Sequence, residues 1–181
     1  MSNILRTPVS KINLRLKLRP ATIQDIDLVQ YWDTKQHVID CDPDDDWDWE
    51  RELGRDPEWR EQLIAELDGE PIGFIQIIDP LLEETQYWGK VEANKRAIDI
   101  WIGEERNLNK GYGTRMMELA IQRCFENESV DGILIDPLKS NVKAQRFYER
   151  LGFEFIEERE FDGVPCVVYE LKRKSQQIER Y

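Results

Sequence analysis

The sequence predicts an α/β fold, because segments with the two-residue period of strands alternate with segments that have the 3.6-residue period of helices. Residues 98–102 alternate isoleucines with Asp99 and Trp101, which is typical of a strand whose two faces meet different surroundings. The glycine-rich segment 110–114 follows and leads into an amphipathic stretch over 116–125 that favours a helix. Further strands, a helix and hairpins are predicted on either side of this unit.

The N-terminal half is predicted to add strands to the sheet and to cover it with short helices. Asp68-Gly69 is a hairpin turn signal between strands over 63–67 and 71–78. Thr22 is a residue type that caps helices, and a helix is expected to follow it. Three further segments complete this half, namely a first strand over 14–18, a short helix over 46–53 and a loop over 81–93 that reaches the functional site.

The C-terminal half is predicted as strand, helix and hairpin. A strand over 130–136 ends before Pro137, and Ser140 or Asn141 caps the following helix. Gly152 stands where helices commonly end in a left-handed residue. The last predicted elements are a strand over 153–160, an Asp162-Gly163 turn and a return strand over 164–171.

Length and charge restrict the class of protein. A chain of 181 residues can form one domain with a sizeable core. We place that domain at 14–173, between a partly ordered arm over 1–13 and a tail over 174–181. The net charge of -12 would repel nucleic acid. No apolar run is long enough for a membrane helix and no secretion signal is evident, so we expect no membrane partner.

The cysteine and histidine content argues against a metal site. Cys41, Cys124 and Cys166 form no Cys-x-x-Cys motif, and His37 is the single histidine. An odd number of scattered cysteines favours a reducing compartment. We therefore expect a cytoplasmic protein without metal.

Strand, glycine turn and helix together predict an anion-binding site. Gly111 and Gly113 let the backbone approach a phosphate, and the first amides of a helix have no internal partners. The dinucleotide-binding pattern fails because position 116 is methionine, and the Gly-Lys-Ser/Thr motif of P-loop proteins is missing. A phosphate-bearing ligand is therefore expected beside Asp99, a carboxylate on the strand just upstream.

The glycine turn resembles the pyrophosphate loop of the GNAT superfamily of coenzyme A-dependent N-acetyltransferases. That loop usually begins with Gln or Arg, where this chain has Leu108. A second run, from Asn141 and Ala144 through Phe-Tyr-Glu-Arg-Leu-Gly-Phe at 147–153, resembles the second GNAT signature. The two signatures stand in the expected order and at about the expected distance.

Over about 68–172 the chain resembles most the aminoglycoside 6'-N-acetyltransferases, which also lack the Gln or Arg. Residues 97–99 stand where that family has its active-site Gly-Ile-Asp, and 110–114 resembles its Lys-Gly-Leu-Gly-Thr. The other matching segments are the hairpin 68–76, Tyr87-Trp88, Asp136-Pro137 with Ser140-Asn141, Tyr148 and Asp162-Gly163.

The resemblance implies a fold, a cofactor and catalytic residues. The expected fold is a mixed, mostly antiparallel central sheet that is flanked by helices and splayed between its two central strands. Acetyl coenzyme A is the expected cofactor, used as a co-substrate, and Asp99 and Tyr148 are the expected catalytic residues. The residues expected to bind the cofactor are Trp101, Ile102, Gly103, Asn109, Lys110, Gly111, Tyr112, Gly113, Thr114, Asn141 and Arg146.

Acetyl transfer to an amine gives each catalytic group a role. Backbone amides near Ile102 would stabilise the oxyanion, and Tyr148 would protonate the leaving thiolate. Asp99 would accept the amine proton or orient the ammonium. An unperturbed aspartate has a pKa of about 3.9, a poor match for an ammonium donor, so orientation is expected to matter more.

The expected acceptor is a cationic small-molecule amine, with an aminoglycoside-like amino sugar as the specific expectation. The family's Trp-Trp pair after a histidine is missing, since Cys41 and Asp42 follow His37 and the tryptophans come later. The residues expected to bind the acceptor are Gln76, Glu84, Tyr87, Trp88, Asp136, Asp162, Trp47 and Trp49.

Several of these residues also have purely structural interpretations. Tyr148 could pack between helix and sheet, and Tyr87 and Trp88 could anchor a loop. The acidic run over 40–50 is either a solvated loop with Asp46 as a helix N-cap or a funnel for a cationic acceptor.

Other functions compatible with the sequence are siderophore or other small-molecule N-acylation, N-terminal protein acetylation, and coenzyme A sensing without turnover. Both a monomer and a homodimer are compatible with it as well.

Overall fold

The computed structural model describes residues 16–41, 43 and 46–174. The predicted arm over 1–13, the start of the first predicted strand, most of the predicted tail and three residues of the acidic run lie outside this part. The strands are β1 (Leu16–Pro20), β2 (Arg60–Leu67), β3 (Glu70–Ile78), β4 (Lys95–Ile102), β5 (Gly132–Ile135), β6 (Glu154–Phe161) and β7 (Val164–Lys172). The α-helices are α1 (Ile26–Asp33), α2 (Gln36–Ile39), α3 (Trp49–Leu53), α4 (Tyr112–Glu126) and α5 (Val142–Arg150).

The strands form one sheet of seven in the order β1-β2-β3-β4-β5-β7-β6. Every neighbouring pair is antiparallel except β4 and β5, which are parallel. These two strands are paired at three positions only, Lys95 with Gly132, Arg96 with Ile133 and Ala97 with Leu134. In contrast, β4 stays paired with β3 as far as Ile102. The two central strands therefore separate, as predicted, and the second half of β4 borders an opening in the sheet.

The two faces of β4 meet different clusters of side chains, as the sequence alternation predicts. Ile98, Ile100 and Ile102 belong to the cluster that α4 covers through the buried Met116 and Met117. The opposite face of the sheet carries two other clusters. One contains Trp32, Trp49, Phe74 and Trp101 beneath α1 and α3, and the other contains Trp88, Ala97, Leu134 and Phe161.

Most predicted turns and helix ends are confirmed. Asn141, rather than Ser140, caps α5, because its side-chain oxygen accepts from the Ala144 amide at 3.0 Å. Gly152 ends that helix with a φ of +92°. Asp162 and Gly163 have φ values of +47° and +87°, the left-handed pair that a tight hairpin turn requires.

Two predicted helix starts are wrong in detail. Thr22 precedes a 3-10 turn (Ile23–Asp25), and α1 begins only after that turn. Helix α3 begins at Trp49 with Asp48 as its cap, not at Asp46. The reason is geometric, since the Asp48 carboxylate reaches the amide of Arg51, three residues ahead, at 3.2 Å.

Candidate active site

The start of α4 lies beside the opening in the sheet and presents unpaired backbone amides. Gly111 is the residue before the helix and has a φ of +82°. The ladder of the helix starts with the Arg115 amide, which donates to the Gly111 carbonyl at 3.1 Å. The amides of Tyr112 to Thr114 precede that ladder, so they are available to an anion.

Gly111 and Gly113 have different surroundings. A Cβ on Gly111 would meet no other atom within 4 Å, so the protein leaves space on that side of the backbone. Gly113 lies inside the first turn of α4, which corrects the prediction that the glycine turn extends to residue 114. A Cβ there would make ordinary contacts, 3.6 Å from Ile102 Cδ1. A phosphate could approach the backbone at Gly111, and the exposed Lys110 and Arg146 could neutralise its charge.

The end of β4 is held in place from both sides. A Cβ on Gly103 would lie 2.0 Å from an atom of the Trp32 indole, so close packing explains this glycine. The Gly103 amide donates to the Ile72 carbonyl at 3.0 Å, and His37 Nε2 contacts the Ile102 carbonyl at 2.8 Å. The backbone at 102–103, where the sequence predicts the oxyanion site, is therefore well fixed.

The side chain of Trp101 lies on the face of β4 that is opposite α4. Its ring stacks on Phe74 with centroids 4.6 Å apart and lies 5.8 Å from the ring of Trp47. This face is opposite to that of Ile102, so a contact of residue 101 with the cofactor would involve its backbone. Trp101, Trp47 and Asp33 also line a small cavity of about 90 Å³.

Asp99 is part of a row of polar side chains that crosses three strands. Gln76 on β3 is directly opposite Asp99, and its Nε2 donates to Asp99 Oδ2 at 3.0 Å. Gln62 on β2 is opposite Gln76 and donates to its Oε1 at 3.0 Å. From the sequence, Gln76 is expected to bind the acceptor. Since Gln76 is only 5% exposed, its position favours holding Asp99 over direct contact with an acceptor.

Tyr148 is half-buried on α5, with ring contacts to Phe147 and Phe153. Burial raises the pKa of its hydroxyl, and the negative charges of Asp99 and Asp136 raise it further. The hydroxyl therefore keeps its proton at neutral pH, which is the state that a general acid requires.

Tyr87 connects the loop after β3 to the far side of the opening. Its hydroxyl donates to Asp136 Oδ2 at 2.7 Å, and its ring stacks on Phe161 with centroids 4.5 Å apart. Burial raises the pKa of Tyr87, and the charges of Asp136 and Asp99 act in the same direction. The loop after β3 therefore brings Tyr87 and Asp136 into the electrostatic environment of Asp99.

Two of the predicted acceptor-binding tryptophans are core residues. Trp88 is 4% exposed and packs edge-on against Phe161, and Trp49 is 2% exposed. Trp49 Nε1 donates to Asp33, and its ring stacks with that of Trp47 at 4.7 Å. Trp88 and Trp49 therefore contribute to packing in the interior. Among the three tryptophans predicted to bind the acceptor, the half-buried Trp47 is the one whose ring is accessible to a ligand.

The remaining predicted residues lie at the surface. Glu84 is exposed and forms an ion pair with Arg55 at 2.7 Å, and Asp162 is exposed in the hairpin turn. Asn109 and Thr114 are exposed beside the start of α4, and Tyr112 is half-buried there.

Sequence reasoning missed the residues that hold the loop after β3. Glu83 is 8% exposed, and its carboxylate accepts from the amides of Thr85 and Tyr87 at 2.6 and 3.0 Å. Arg159 Nη1 donates to the Trp88 carbonyl at 3.0 Å. A Glu-x-Thr pattern at 83–85, one residue before the aromatic pair 87–88, is the signal that could have revealed Glu83.

Comparison with known proteins identifies the family. Residues 22–161 match the family model described as an acetyltransferase (GNAT) domain. The chain is 28% identical over 160 residues to an aminoglycoside N(6')-acetyltransferase type 1 of Klebsiella pneumoniae, covering 81% of this chain and 77% of that protein. It is 31% identical over 105 residues to a spermine/spermidine N(1)-acetyltransferase of Bacillus subtilis (strain 168), covering 58% and 66%.

A solved structure shows the same architecture. The crystal structure of the aminoglycoside acetyltransferase AAC(6')-Ib in complex with coenzyme A and kanamycin matches with a TM-score of 0.77 at 27% identity, covering 87% of this chain and 95% of that one. The protein therefore belongs to the GNAT acetyltransferase family. It is an acetyl coenzyme A-dependent N-acetyltransferase, as the sequence predicted.

Proposed function

We propose that the protein acetylates a primary amine of a cationic small molecule, and that an amino sugar of the aminoglycoside type is the acceptor. The observation that carries this proposal is the group of Asp99, Asp136 and Tyr87 around the end of β4. Tyr87 donates to Asp136 at 2.7 Å, and the negative charges of Asp99 and Asp136 both raise the pKa of Tyr87 and of Tyr148. A pocket with two carboxylates and aromatic rings suits ammonium groups.

The known relatives support a polycationic acceptor. One relative is named for aminoglycosides and another for spermine and spermidine, and both of these acceptor types carry several amines. The structure with kanamycin belongs to a protein with the same fold. A polyamine is the second candidate acceptor, which the same pocket of carboxylates would accommodate.

The chain's own groups fit the steps of acetyl transfer. The Gly111 turn and the amides that begin α4 would hold the pyrophosphate of coenzyme A, whose thioester is the acetyl donor. Backbone amides near Ile102 would stabilise the oxyanion as the amine attacks the carbonyl carbon. Asp99 would orient the ammonium and take its proton directly or through water. Tyr148 would donate its proton to the departing sulfur as the carbon–sulfur bond breaks.

The test is a free-thiol assay with kanamycin, spermidine, a basic peptide and a neutral primary amine, each at saturating acetyl coenzyme A. We expect kanamycin to give the highest kcat/KM. Asp99→Asn should lower kcat/KM for the acceptor by at least about tenfold while the affinity for coenzyme A is retained. Asp27→Asn, the same change at an exposed position of α1, is the matched control.

Acetylation of the basic peptide alone would favour N-terminal protein acetylation, and preference for spermidine would favour the polyamine. If the neutral amine were preferred, or Asp99→Asn had wild-type activity, the cationic-acceptor proposal would be wrong.

A further inference from the structure

Gln62 belongs to the same cross-strand row as the proposed catalytic carboxylate but lies two strands away from it. The register places Gln62 opposite Gln76 and Gln76 opposite Asp99. The two hydrogen bonds run in one direction, from Gln62 Nε2 to Gln76 Oε1 and from Gln76 Nε2 to Asp99 Oδ2, each 3.0 Å long. One side chain on β2 is thereby connected to the carboxylate through a single amide.

The direction of these bonds matters because an amide has two unlike ends. If the Gln76 amide turned by 180°, its carbonyl oxygen would face the Asp99 carboxylate and attraction would become repulsion. The Nε2 donor of Gln62 opposes this turn, since the turned Gln76 would set its own NH₂ group against that donor.

The surroundings leave Gln76 few other ways to fix its orientation. The neighbouring row on this face is apolar, with Ile64, Phe74 and Trp101 opposite one another on the same three strands. Gln76 itself is 5% exposed. A buried amide oxygen that loses its donor in such a place is left unsatisfied, because water cannot readily replace the partner, and only the bond to Asp99 then orients Gln76.

We propose that Gln62 is a positioning residue for acetyl transfer, acting through the amide of Gln76 to aim the Asp99 carboxylate at the acceptor amine. This inference rests on the proposed function, in which Asp99 orients the acceptor. It assigns a role to a residue on β2, a strand that stands outside both sequence signatures.

The decisive substitution reverses polarity without changing shape. In Gln62→Glu at pH 8, the carboxylate accepts from the Gln76 amide nitrogen, and Gln76 then turns its oxygen towards Asp99. We expect kcat/KM for kanamycin to fall about tenfold or more, with KM for acetyl coenzyme A within about twofold of wild type. Gln62→Leu, which removes the donor without inserting an acceptor, should lower kcat/KM about threefold.

Two controls separate this effect from charge and from packing. Gln122→Glu adds the same charge at an exposed position of α4 and should leave kcat/KM unchanged. A negative charge near the pocket would by itself improve capture of a cation, so a decrease at position 62 points to the amide. Thermal melting of each variant checks that the sheet is intact.

A double-mutant cycle gives the final test. In a Gln76→Leu background the two hydrogen bonds that connect position 62 to Asp99 are already lost. Gln62→Glu should therefore lower kcat/KM by less than about twofold further. A full tenfold decrease in that background, or no decrease in the wild-type background, would overturn the role of Gln62. Asp99→Asn is measured alongside. If it loses activity while Gln62→Glu does not, only the positioning proposal is wrong. If Asp99→Asn keeps wild-type activity, the proposed function itself is wrong.

Discussion

The two ends of β4 have different neighbours, and the difference explains where the enzyme places its chemistry. From Lys95 to Ala97 the strand is paired with β5, and at Ala97 it also meets the end of β3. From Ile98 to Ile102 the ladder continues with β3 while that with β5 has ended. The first end, where β4 and β5 are paired, is called the closed end. The second, called the open end, carries Ile102 beside the first turn of α4 and Asp99 on the opposite face of the strand, and the proposed function places acetyl transfer there.

The closed end is held by a buried ion pair. Lys95 Nζ lies 2.7 Å from Glu170 Oε1 and 2.8 Å from Asp131 Oδ1. Gly132 permits this approach, because a Cβ there would lie 2.3 Å from Glu170 Oε1. Burial acts to lower the pKa of Lys95, but the hydrogen bonds to Asp131 and Glu170 outweigh it and raise the pKa above its ordinary value. The lysine therefore stays charged and holds β4, β5 and β7 together.

Breaking this pair should have the largest effect of all, and on stability alone. Lys95→Met leaves the Glu170 carboxylate buried, and we expect the free energy of unfolding to fall by about 3 kcal/mol. The exposed Lys172, 3.8 Å from the other carboxylate oxygen, offsets little of this loss. Urea titration measures the change, and calorimetry should show coenzyme A affinity within about twofold of wild type.

Replacing both partners provides the control for this prediction. Lys95→Met combined with Glu170→Gln removes the uncompensated charge and should recover more than half of the lost stability. If Lys95→Met were as stable as wild type, the closed end would not depend on the ion pair. If coenzyme A affinity fell with stability, the two ends of β4 would not be independent.

The open end is tested next at the glycine turn. Gly111→Val places a side chain where the phosphate should lie and also strains a backbone with φ of +82°. We expect the Kd for acetyl coenzyme A, measured by calorimetry, to rise about 100-fold. Gly69→Val is matched, since Gly69 also has a positive φ of +92° and an empty Cβ position, but it lies in the β2–β3 turn. Equal affinity losses in the two variants, or none in folded Gly111→Val, would contradict a pyrophosphate site at Gly111.

The comparison also shows which features the sequence could predict. Alternation in 98–102, the turn at Gly111 and the cap of α5 depend on neighbours a few residues away, so the sequence could place the strand and the turn and could narrow the cap to Ser140 or Asn141. The splay between β4 and β5 was predicted from the resemblance, because pairing between residues 37 positions apart, such as 95 and 132, leaves no local pattern. The tryptophans were harder, since an indole suits both a core and a binding pocket. Only the contacts with Phe161 and Asp33 place Trp88 and Trp49 in the interior.

Polar residues show the same limit. Gln62 carries no local signal, because an isolated glutamine on an alternating strand is typical of a solvent-facing position. Its importance depends on registers with two other strands, and these are properties of the folded sheet. Asp99, by contrast, could be selected because it lies on the strand that leads directly into the glycine turn.

Tyr148 tests whether the open end performs acid catalysis. Tyr148→Phe should lower kcat about 30-fold with KM for acetyl coenzyme A within about twofold, because the hydroxyl acts mainly when sulfur carries charge. Tyr169→Phe is the control. It removes the hydroxyl of a buried tyrosine, which donates to Glu149 at 3.2 Å, and it should leave kcat unchanged. Wild-type kcat in Tyr148→Phe would make this tyrosine a packing residue.

The raised pKa of Tyr148 adds a pH prediction. A pKa above the unfolded value of about 10 means that the folded protein keeps the proton while the unfolded chain loses it. Tyr148 therefore stays a proton donor from pH 7 to 9, and no alkaline loss of kcat should occur in that range on its account. The same shift makes the folded state less stable as pH rises above about 10, and Tyr148→Phe should weaken that alkaline destabilisation in urea titrations.

The smallest expected effect concerns how the open end captures its acceptor. In the proposed function, Asp99 and Asp136 would attract a polycation through charges that are partly exposed to solvent, so salt should weaken the attraction. Raising the salt concentration from about 0.05 M to 0.5 M should increase KM for kanamycin about threefold to fivefold, with kcat nearly constant. Asp136→Asn should reduce this salt dependence. Asp27→Asn on the exposed face of α1 should not.

The partner of Asp136 makes this last prediction specific. Tyr87 donates to one oxygen of that carboxylate, so an incoming ammonium must share Asp136 with the hydroxyl or displace it. If the ammonium displaces the hydroxyl, Tyr87→Phe removes a competitor and should lower KM for kanamycin about twofold. If the two share the carboxylate, Tyr87→Phe loosens the loop and raises KM instead. Steady-state kinetics at both salt concentrations distinguish these outcomes, and a salt-independent KM in every variant would show that charge does not select the acceptor.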